Sequence, residues 1–599
     1  MAILLPTEQR STKGRLIHAG IITLLLLGGV TMVYPFLVML SGSVRSGIDE
    51  AELDLVPEYL VDDEALYRKF LEFKYNGDVA ALNRAHRTTH FSFAEANPPN
   101  PSGWTPPLRP DKPVGPEHFI ILGGIQGERT VPANLRRIRN ELIDRYDGDI
   151  ADYISDGGAP TPSWLTVVVS PPRWFDRRYD FPPGPLLDAY SHVRSRRPTS
   201  EWQIVSLSGH FLDTMIWPSI GRGDDAKTAV ALSPGSAWSD FALPLSYPLD
   251  AGEHLKQAWS DYVRNEVNPA FVMWIGKGYG PESNNSYRTF LAAIYDRSID
   301  ELNQAWSTEY EDFSSIDLPV GRWLRGIERQ DYQRFLDTQP IQELGLVDPS
   351  RNWLEDDGHP SVWEHFAVEQ NSGPLRRQFA SRNYINVWDE LAGEGRALWN
   401  TLIYCTLSIV LALLINPLAA YGLSRFKLRG GYKALLILMA TMAFPPMVTL
   451  IPQFIALRNL GLMNTFVALL LPLIANGYLI FLLKGFFDSL PQELYEAGTI
   501  DGASELRMFF QIAMALSKPI LAVVALQTFT AAYTMFLYAL LVAPDRDMWL
   551  ISVWLFQYQE RASSSGVFAS VVIASVPTLL LFLLVQRTIM RGIVVPTEK

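Results

Sequence analysis

At 599 residues the chain is long enough for several domains, and its formal net charge of -12 argues against nucleic-acid binding, which needs a basic face. A single cysteine, Cys405, excludes an intrachain disulfide and a cysteine-rich metal site. Long apolar runs lie near the N-terminus and from about 400 to the end, and the stretch between them is polar and rich in Trp, Tyr and Pro.

The first element is the apolar run at about 16–40. Crossing a bilayer core takes about 20 residues. Arg10, Lys13 and Arg15 precede the run, and no small-residue cleavage site follows it cleanly. It therefore reads as a membrane span and not as a cleaved signal peptide.

The polar middle contains a repeat. YRKFLEFKYNGDVAALNRAHRTTHFSFAEANPP, starting at Tyr67, aligns without gaps on YRTFLAAIYDRSIDELNQAWSTEYEDFSSIDLP, starting at Tyr287. Tyr67 and Tyr287, Phe70 and Phe290, Leu71 and Leu291, Tyr75 and Tyr295, Leu82 and Leu302, Asn83 and Asn303, and Thr88 and Thr308 coincide. A weaker echo, IRNELIDRYDGDIADYI, starts near Ile138. Each copy, about 67–99 and 287–319, reads as two short helices with a shared apolar face, and Ser298 with Glu301 makes a capping box in the later one. Apolar runs at 118–122, 165–169 and 202–207 read as strands, so a mixed α/β domain is expected.

The LN-x-A-W-x-T string of the later copy is similar to stretches in glycoside hydrolases of the β-galactosidase type, which implies a peripheral and not a catalytic element. Catalysis on a sugar needs two carboxylates placed about the ring, and nothing in the sequence pairs two of the many acids. His86 and His90 have metal-ligand spacing but no accompanying carboxylate motif, so they read as incidental and no metal is expected. The tryptophans suit either sugar stacking or a core.

Five further apolar runs follow at about 397–423, 433–456, 465–486, 519–543 and 567–587. Pro445, Pro446, Pro472 and Pro577 lie within them, which neighbouring helices tolerate in lipid. Basic residues set the orientation. With the N-terminus in the cytoplasm, Arg425, Lys427, Arg429 and Lys433 fall inside, as do Lys484, Arg507 and Lys518, and then Arg587, Arg591 and Lys599. The short outer loops hold Arg458, Arg546 and Arg561. The expected fold is a polytopic α-helical membrane protein of six transmembrane helices with both ends inside. It divides into 1–44, an extracytoplasmic mixed α/β insert at 45–392, and a five-span core at 393–599. Polar groups within spans, namely Asn400, Asn476, Gln527, Thr528 and Tyr533, are candidates either for a substrate pathway or for bonds between helices.

Between the fourth and fifth spans, 489–504 reads SLPQELYEAGTIDGAS. Ser489 is a candidate N-cap, Pro491 sits in the first turn and Gln492 closes a capping box. Asp501-Gly502 ends the helix, and Ser504 caps a second one carrying Leu506, Phe509, Phe510 and Ile512. Glu496, Ala497, Gly498, Asp501 and Gly502 resemble the EAA-x3-G coupling signature of ABC-importer permeases. LPQELYEAGTIDGASELRMFFQIAMALSKP resembles the version in carbohydrate permeases of the maltose-transporter type. PPMVTLIPQFIALRNLGLMNTFVALLLPLIANGYLIFLLKGFF, YPFLVMLSGSVRS and NTLIYCTLSIVLALLINPLAAYGLSRFKLRG are similar to other parts of that family. The resemblance covers about 1–45 and 396–599 and leaves the insert unexplained.

This resemblance implies an ABC type I importer permease in the inner membrane of a prokaryote. Its loop at about 488–518 is expected to seat in a separate ATPase subunit, present as a dimer. A second permease subunit, an extracytoplasmic solute-binding protein and a small solute, a sugar, complete the implied assembly. The chain has no Gly-x4-Gly-Lys-Ser/Thr phosphate loop, so ATP and Mg belong to the partner, and no cofactor or catalytic residue is expected here. Gly498 stands where the family usually has Ala, and Ala513-Met514-Ala515 lacks a usual proline. Tyr533-Thr534-Met535-Phe536 replaces a Trp-Asn pair, acid and aromatic common in sugar permeases. The leading reading of the insert is that it docks, or replaces part of, the solute-binding protein, and two rival readings remain open. One is a carbohydrate-binding, sensor or glycosidase-like domain on a degenerate permease; the other is a brace between permease subunits.

Overall fold

The computed structural model describes residues 12–590, except 51–53, 100–119, 123–132, 163, 165–166, 168–174, 179–183, 197–201, 205, 231–237, 239–240, 277–280, 320–323, 325, 349–359, 394, 427–429 and 442–444. The chain divides into two compact units, Met1–Val44 with Asn383–Lys599, and Arg45–Arg382.

In the first unit, three helices among the described residues are long and apolar enough to cross a membrane: Ala19–Gly42, Ala397–Arg425 and Ser564–Gln586. Two pairs meet the same criteria only together. Phe466–Leu473 and Gly477–Asp488 are bent by 49°, and Glu505–Leu516 and Lys518–Tyr533 by 83°. The run expected at 465–486 is therefore broken, for a local reason. Pro472 has no N–H to give, and Asn476 restarts the helix, its Oδ1 accepting from the amides of Tyr478 and Leu479 at 3.0 and 3.1 Å. The run expected at 433–456 comes as two helices, Gly431–Thr441 and Pro446–Asn459, with Pro445 extended before the second. The one at 519–543 splits into Lys518–Tyr533 and Leu537–Val542. Small residues let helices approach closely: a Cβ on Gly477 would stand 2.5 Å from the Leu438 carbonyl oxygen.

The second unit is mostly helical among the described residues, so the mixed α/β expectation is met there only by short strands. Its strands are three-residue pieces in two antiparallel ribbons, Ile120–Leu122 with Trp202–Ile204 and Val272–Trp274 with Leu344–Leu346. The run expected at 202–207 turns helical at Leu207, because Ser206 caps a helix there by accepting from the Gly209 amide at 3.1 Å. The strand expected at 165–169 lies outside the described residues apart from Val167, which is buried and not in a strand. Ribbons this short bury little, so apolar helix faces make the core.

The repeat holds down to single hydrogen bonds. Copy one is Asp63–Lys74 then Val79–His86, and copy two is Pro281–Ile294 then Ile299–Trp306. A two-residue left-handed turn joins each pair: Asn76-Gly77 at φ 56 and 72, and Asp296-Arg297 at φ 47 and 60. The echo has the same turn at Asp147-Gly148, φ 48 and 81, between Ala133–Arg145 and Ile150–Ser155, which makes it a third, shortened copy. Beyond the second helix an asparagine folds the chain back. Asn83 Oδ1 accepts from the His90 amide and Thr88 Oγ1, both at 2.9 Å, while its Nδ2 donates to the His90 carbonyl at 2.8 Å. Asn303 makes the same three bonds with Tyr310 and Thr308, at 2.8, 3.0 and 2.8 Å.

In copies one and two a third helix closes the unit and brings one buried carboxylate. In copy two it is Gly326–Asp337, where Asp331 Oδ2 accepts from Tyr295 OH at 2.5 Å and Trp306 Nε1 at 2.9 Å. In copy one it is the distant Pro360–Trp388 segment, two helices joined across a kink at Asn371, where Glu364 accepts from Tyr75 OH at 2.6 Å. Glu364 also meets His86 Nε2 at 2.7 Å and Lys74 Nζ at 2.9 Å. Burial opposes the charge on Glu364, but Lys74, His86 and the Tyr75 hydroxyl outweigh it and hold the carboxyl at about 2. Tyr67 lies edge-on to His365 and Tyr287 to Tyr332, with ring centroids 5.5 Å apart in both. Leu66, Phe70 and Leu82 thus share one core with Val368, Leu375 and Phe379, while copies two and three belong to a larger one.

Candidate functional site

The segment singled out by the sequence is a helical hairpin. Its first limb is Gln492–Ile500, carrying Glu496, Ala497 and Gly498. Pro491 precedes it in extended conformation (φ -56, ψ 131) and starts the helix later than expected. Ser489 is therefore not its N-cap. Its Oγ donates instead to the Phe486 carbonyl at 2.6 Å and finishes the preceding helix, and Gln492 Nε2 donates to Glu496 Oε1 at 2.8 Å. The limb ends at Asp501-Gly502 as the sequence indicates. Gly502 takes φ +75, and the Ala503 amide reaches back to the Gly498 carbonyl at 2.9 Å. Ser504 caps the second limb, accepting from the Arg507 amide at 3.3 Å.

The hairpin is part of a core. Tyr495, Met508, Phe509 and Ala513 are buried with Tyr421 of the Ala397–Arg425 helix, Leu483 and Phe487 of Gly477–Asp488, and Val524 of Lys518–Tyr533. This packing accounts for Gly498: a Cβ there would stand 3.2 Å from Met508 Sδ and 3.3 Å from Ile512 Cδ1, tighter than ordinary contact. The outer side is open. Glu496, Asp501 and Gly502 are exposed, and with them Ile500 (86%), Leu506 (64%) and Phe510 (53%). Apolar side chains exposed in one place among charged ones mark an interaction surface.

Sequence reasoning passed over three residues that hold the hairpin. Tyr421 OH donates to Glu505 Oε2 at 2.9 Å, and the Arg425 guanidinium lies 4.9 Å over the Tyr495 ring. The available signal was the spacing: Tyr421 and Arg425 are four apart, hence on one face of the last turns of a helix whose C-terminal dipole favours a cation.

The candidate pathway residues differ in their surroundings. Asn400 Nδ2 donates to the carbonyls of Asp547 and Trp549 at 2.7 and 3.1 Å, and Tyr533 OH to the Ala574 carbonyl at 2.5 Å. Asn476 is the helix cap described above, and its own amide donates to Asn416 Oδ1 at 2.9 Å. Gln527 is exposed. Thr528 is buried, and its Oγ1 has no hydrogen-bond partner among the described residues. No group of three or more His, Cys, Asp or Glu suited to a metal occurs among the described residues, and His86 is engaged by Glu364.

Residues 408–595 match the family of binding-protein-dependent transport system inner membrane components. The diacetylchitobiose uptake system permease protein NgcG of Streptomyces coelicolor is 33% identical over 213 residues, 35% of this chain and 70% of that one. This chain belongs to that family. The probable ABC transporter permease protein YurM of Bacillus subtilis is 31% identical over 246 residues, 39% of this permease and 81% of that one. The sn-glycerol-3-phosphate transport system permease protein UgpE of Yersinia enterocolitica is 30% identical over 267 residues, 43% of this permease and 85% of its own length. Within the insert, residues 263–346 match a second family, described as beta-galactosidase. That stretch runs from the Val272–Trp274 strand through copy two and its closing helix to the Leu344–Leu346 strand that pairs with it. The permease thus carries, in its insert, one supersecondary unit similar to part of a glycosidase family.

Proposed function

We propose that this permease is a subunit of an ATP-driven ABC importer for a carbohydrate. The observation that carries the reading is the hairpin: a limb bearing Glu496 to Gly502, fixed in the core behind and apolar at its open face. That face suits the cleft of a separate ATPase dimer, which holds the ATP and Mg. NgcG, by its name a diacetylchitobiose permease, supports a sugar as solute. The permease crosses the membrane six times with both ends in the cytoplasm, and its insert stands outside. Basic residues support this placement: Arg425, Lys433, Lys484, Arg507 and Lys518 flank the cytoplasmic ends of the runs, while the short outer loops hold only Arg458, Arg546 and Arg561. A second permease subunit and a solute-binding protein complete the importer. Thr528, with its buried hydroxyl, leads the candidate pathway residues, followed by Asn400, Asn476, Gln527 and Tyr533.

The test is retention of the ATPase on the tagged full-length chain, together with ATP-dependent uptake of N,N′-diacetylchitobiose and a disaccharide panel into proteoliposomes. Glu496→Lys puts a cation at the open face, and Gly502→Pro forbids the positive φ. Both are expected to abolish retention and uptake. If either variant keeps both, the docking assignment is wrong, and wild-type uptake of none of the sugars removes the carbohydrate.

A further inference from the structure

Docking alone does not explain the cluster where the hairpin meets the end of the Ala397–Arg425 helix, in which Glu505 is half exposed. One oxygen of Glu505 there faces two donors and satisfies one. Tyr421 OH donates to Glu505 Oε2 at 2.9 Å. Arg425 Nε stands 4.0 Å from the same oxygen, is sealed from solvent and has no hydrogen-bond acceptor among the described residues. That separation is about 1 Å longer than an N–H to oxygen hydrogen bond. A sealed donor costs free energy until it is paired, so a small shift of the second limb exchanges one partner for the other.

The surroundings turn such a shift into movement of a helix. The Tyr421 ring packs on Tyr495 and Phe509, with centroids 6.1 and 5.2 Å apart, so both limbs press on the same side chain. Close-packed side chains transmit displacement and do not absorb it. Near its other end the Ala397–Arg425 helix is also tied, by Asn400 to the Asp547 and Trp549 carbonyls and by Thr401 Oγ1, which accepts from the Ile551 amide at 2.8 Å.

We propose that Tyr421, Arg425 and Glu505 form a two-position clasp between the coupling hairpin and the Ala397–Arg425 helix. Glu505 is held by Tyr421 in one transport state and closes on Arg425 in another. The three are positioning residues, acting through the hairpin, and the clasp rests on the docking of that hairpin to an ATPase. Coupling between distant sites requires an element with two discrete arrangements that both sites bias, and the clasp supplies one.

The experiment uses the full chain assembled with its ATPase and companion permease in nanodiscs, with MgATP hydrolysis as the readout. Arg425→Gln and Glu505→Gln leave the apolar core of the hairpin intact, so each retains the ATPase on an affinity column. Each is expected to change the hydrolysis rate by about five- to tenfold, the size of a modest allosteric coupling. Exchanging the charges, Arg425→Glu together with Glu505→Arg, restores the rate to within about twofold, as a directly coupled pair should. Wild-type rates in the single variants, or no recovery on exchange, overturn the clasp. Loss of the ATPase from the column in a single variant also overturns it, because that marks a purely structural role. A wild-type chain that retains no ATPase overturns the docking reading instead, and is seen before any variant is measured.

Discussion

Copies one and two of the insert begin alike and finish differently. Helix, left-handed turn, helix and asparagine-centred return match bond for bond, because the residues that make them lie close together in each string. The closing helix is not local. Copy two takes the next helix in the chain, whereas copy one takes a helix whose Glu364 is 289 positions from Tyr75. The chemistry at the join changes too. Asp331 receives the neutral donors Tyr295 and Trp306 with Arg334 on the open side, while Glu364 is fully buried between Lys74 and His86. A short sequence signature reproduces its own structure wherever it recurs; the surface it leaves apolar is covered by whatever the rest of the chain brings. In copy one this gathers the first and last parts of the insert into a single bundle.

The widest gap between the copies should appear when the two carboxylates are removed. Glu364→Ala strands the buried Lys74 cation, with His86 and the Tyr75 hydroxyl beside it, and is expected to cost about 3–5 kcal/mol. Asp331→Ala leaves two neutral donors unpaired and releases the exposed Arg334 to water, for about 1–3 kcal/mol. Melting the purified full-length chain compares them, and equal losses would erase the distinction.

Acid should separate the two cores of the insert. In the larger one, His210 Nδ1 lies 2.8 Å from the Tyr262 hydroxyl, and burial, with Arg84 and Arg178 nearby, pushes it down from 6.5 to about 3 against the pull of Asp176. The unfolded chain takes up this proton near 6.5 and the folded chain only near 3, so stability falls as pH drops through that window. For Glu364 the unfolded carboxyl protonates near 4.5 and the folded one at about 2, so its contribution is kept above 4.5 and lost below it. Melting temperature against pH should therefore fall in two stages. His210→Gln should flatten the upper stage and leave the lower one; an upper stage that survives the substitution would reverse the assignment.

The smallest effect concerns the turn. Copies one and three place Gly77 and Gly148 at its second position, whereas copy two holds Arg297 at φ 60. Left-handed backbone is unfavourable for a residue with a Cβ, so Arg297→Gly should stabilise the chain by about 0.5–1 kcal/mol. A lower melting temperature would mean that the Arg297 side chain outweighs its backbone.

Legibility followed the range of the interactions. The hairpin's break at Asp501-Gly502 and its cap at Ser504 were readable because a turn and a cap each depend on neighbouring residues. Ser489 misled because Pro491 delays the helix, and the same residue type serves as well at the end of the preceding one. The bend near Asn476 fell inside a run whose apolar character is uninterrupted, and apolar character reports burial in lipid without reporting continuity of the helix. The three-residue strands of the second ribbon were too short to leave an alternating pattern.

By itself the sequence determined where the apolar helices lie, that a polar insert separates the first from the rest, that a unit within it is repeated, and which hairpin carries the coupling signature. Each of these depends on composition or on residues a few positions apart. Only the tertiary structure decided that Glu364 closes the first copy, that Met508 and Ile512 leave room for little more than Gly498, and that Glu505 stands between Tyr421 and Arg425. Those depend on which distant surfaces meet, and a pattern of neighbours carries no record of that.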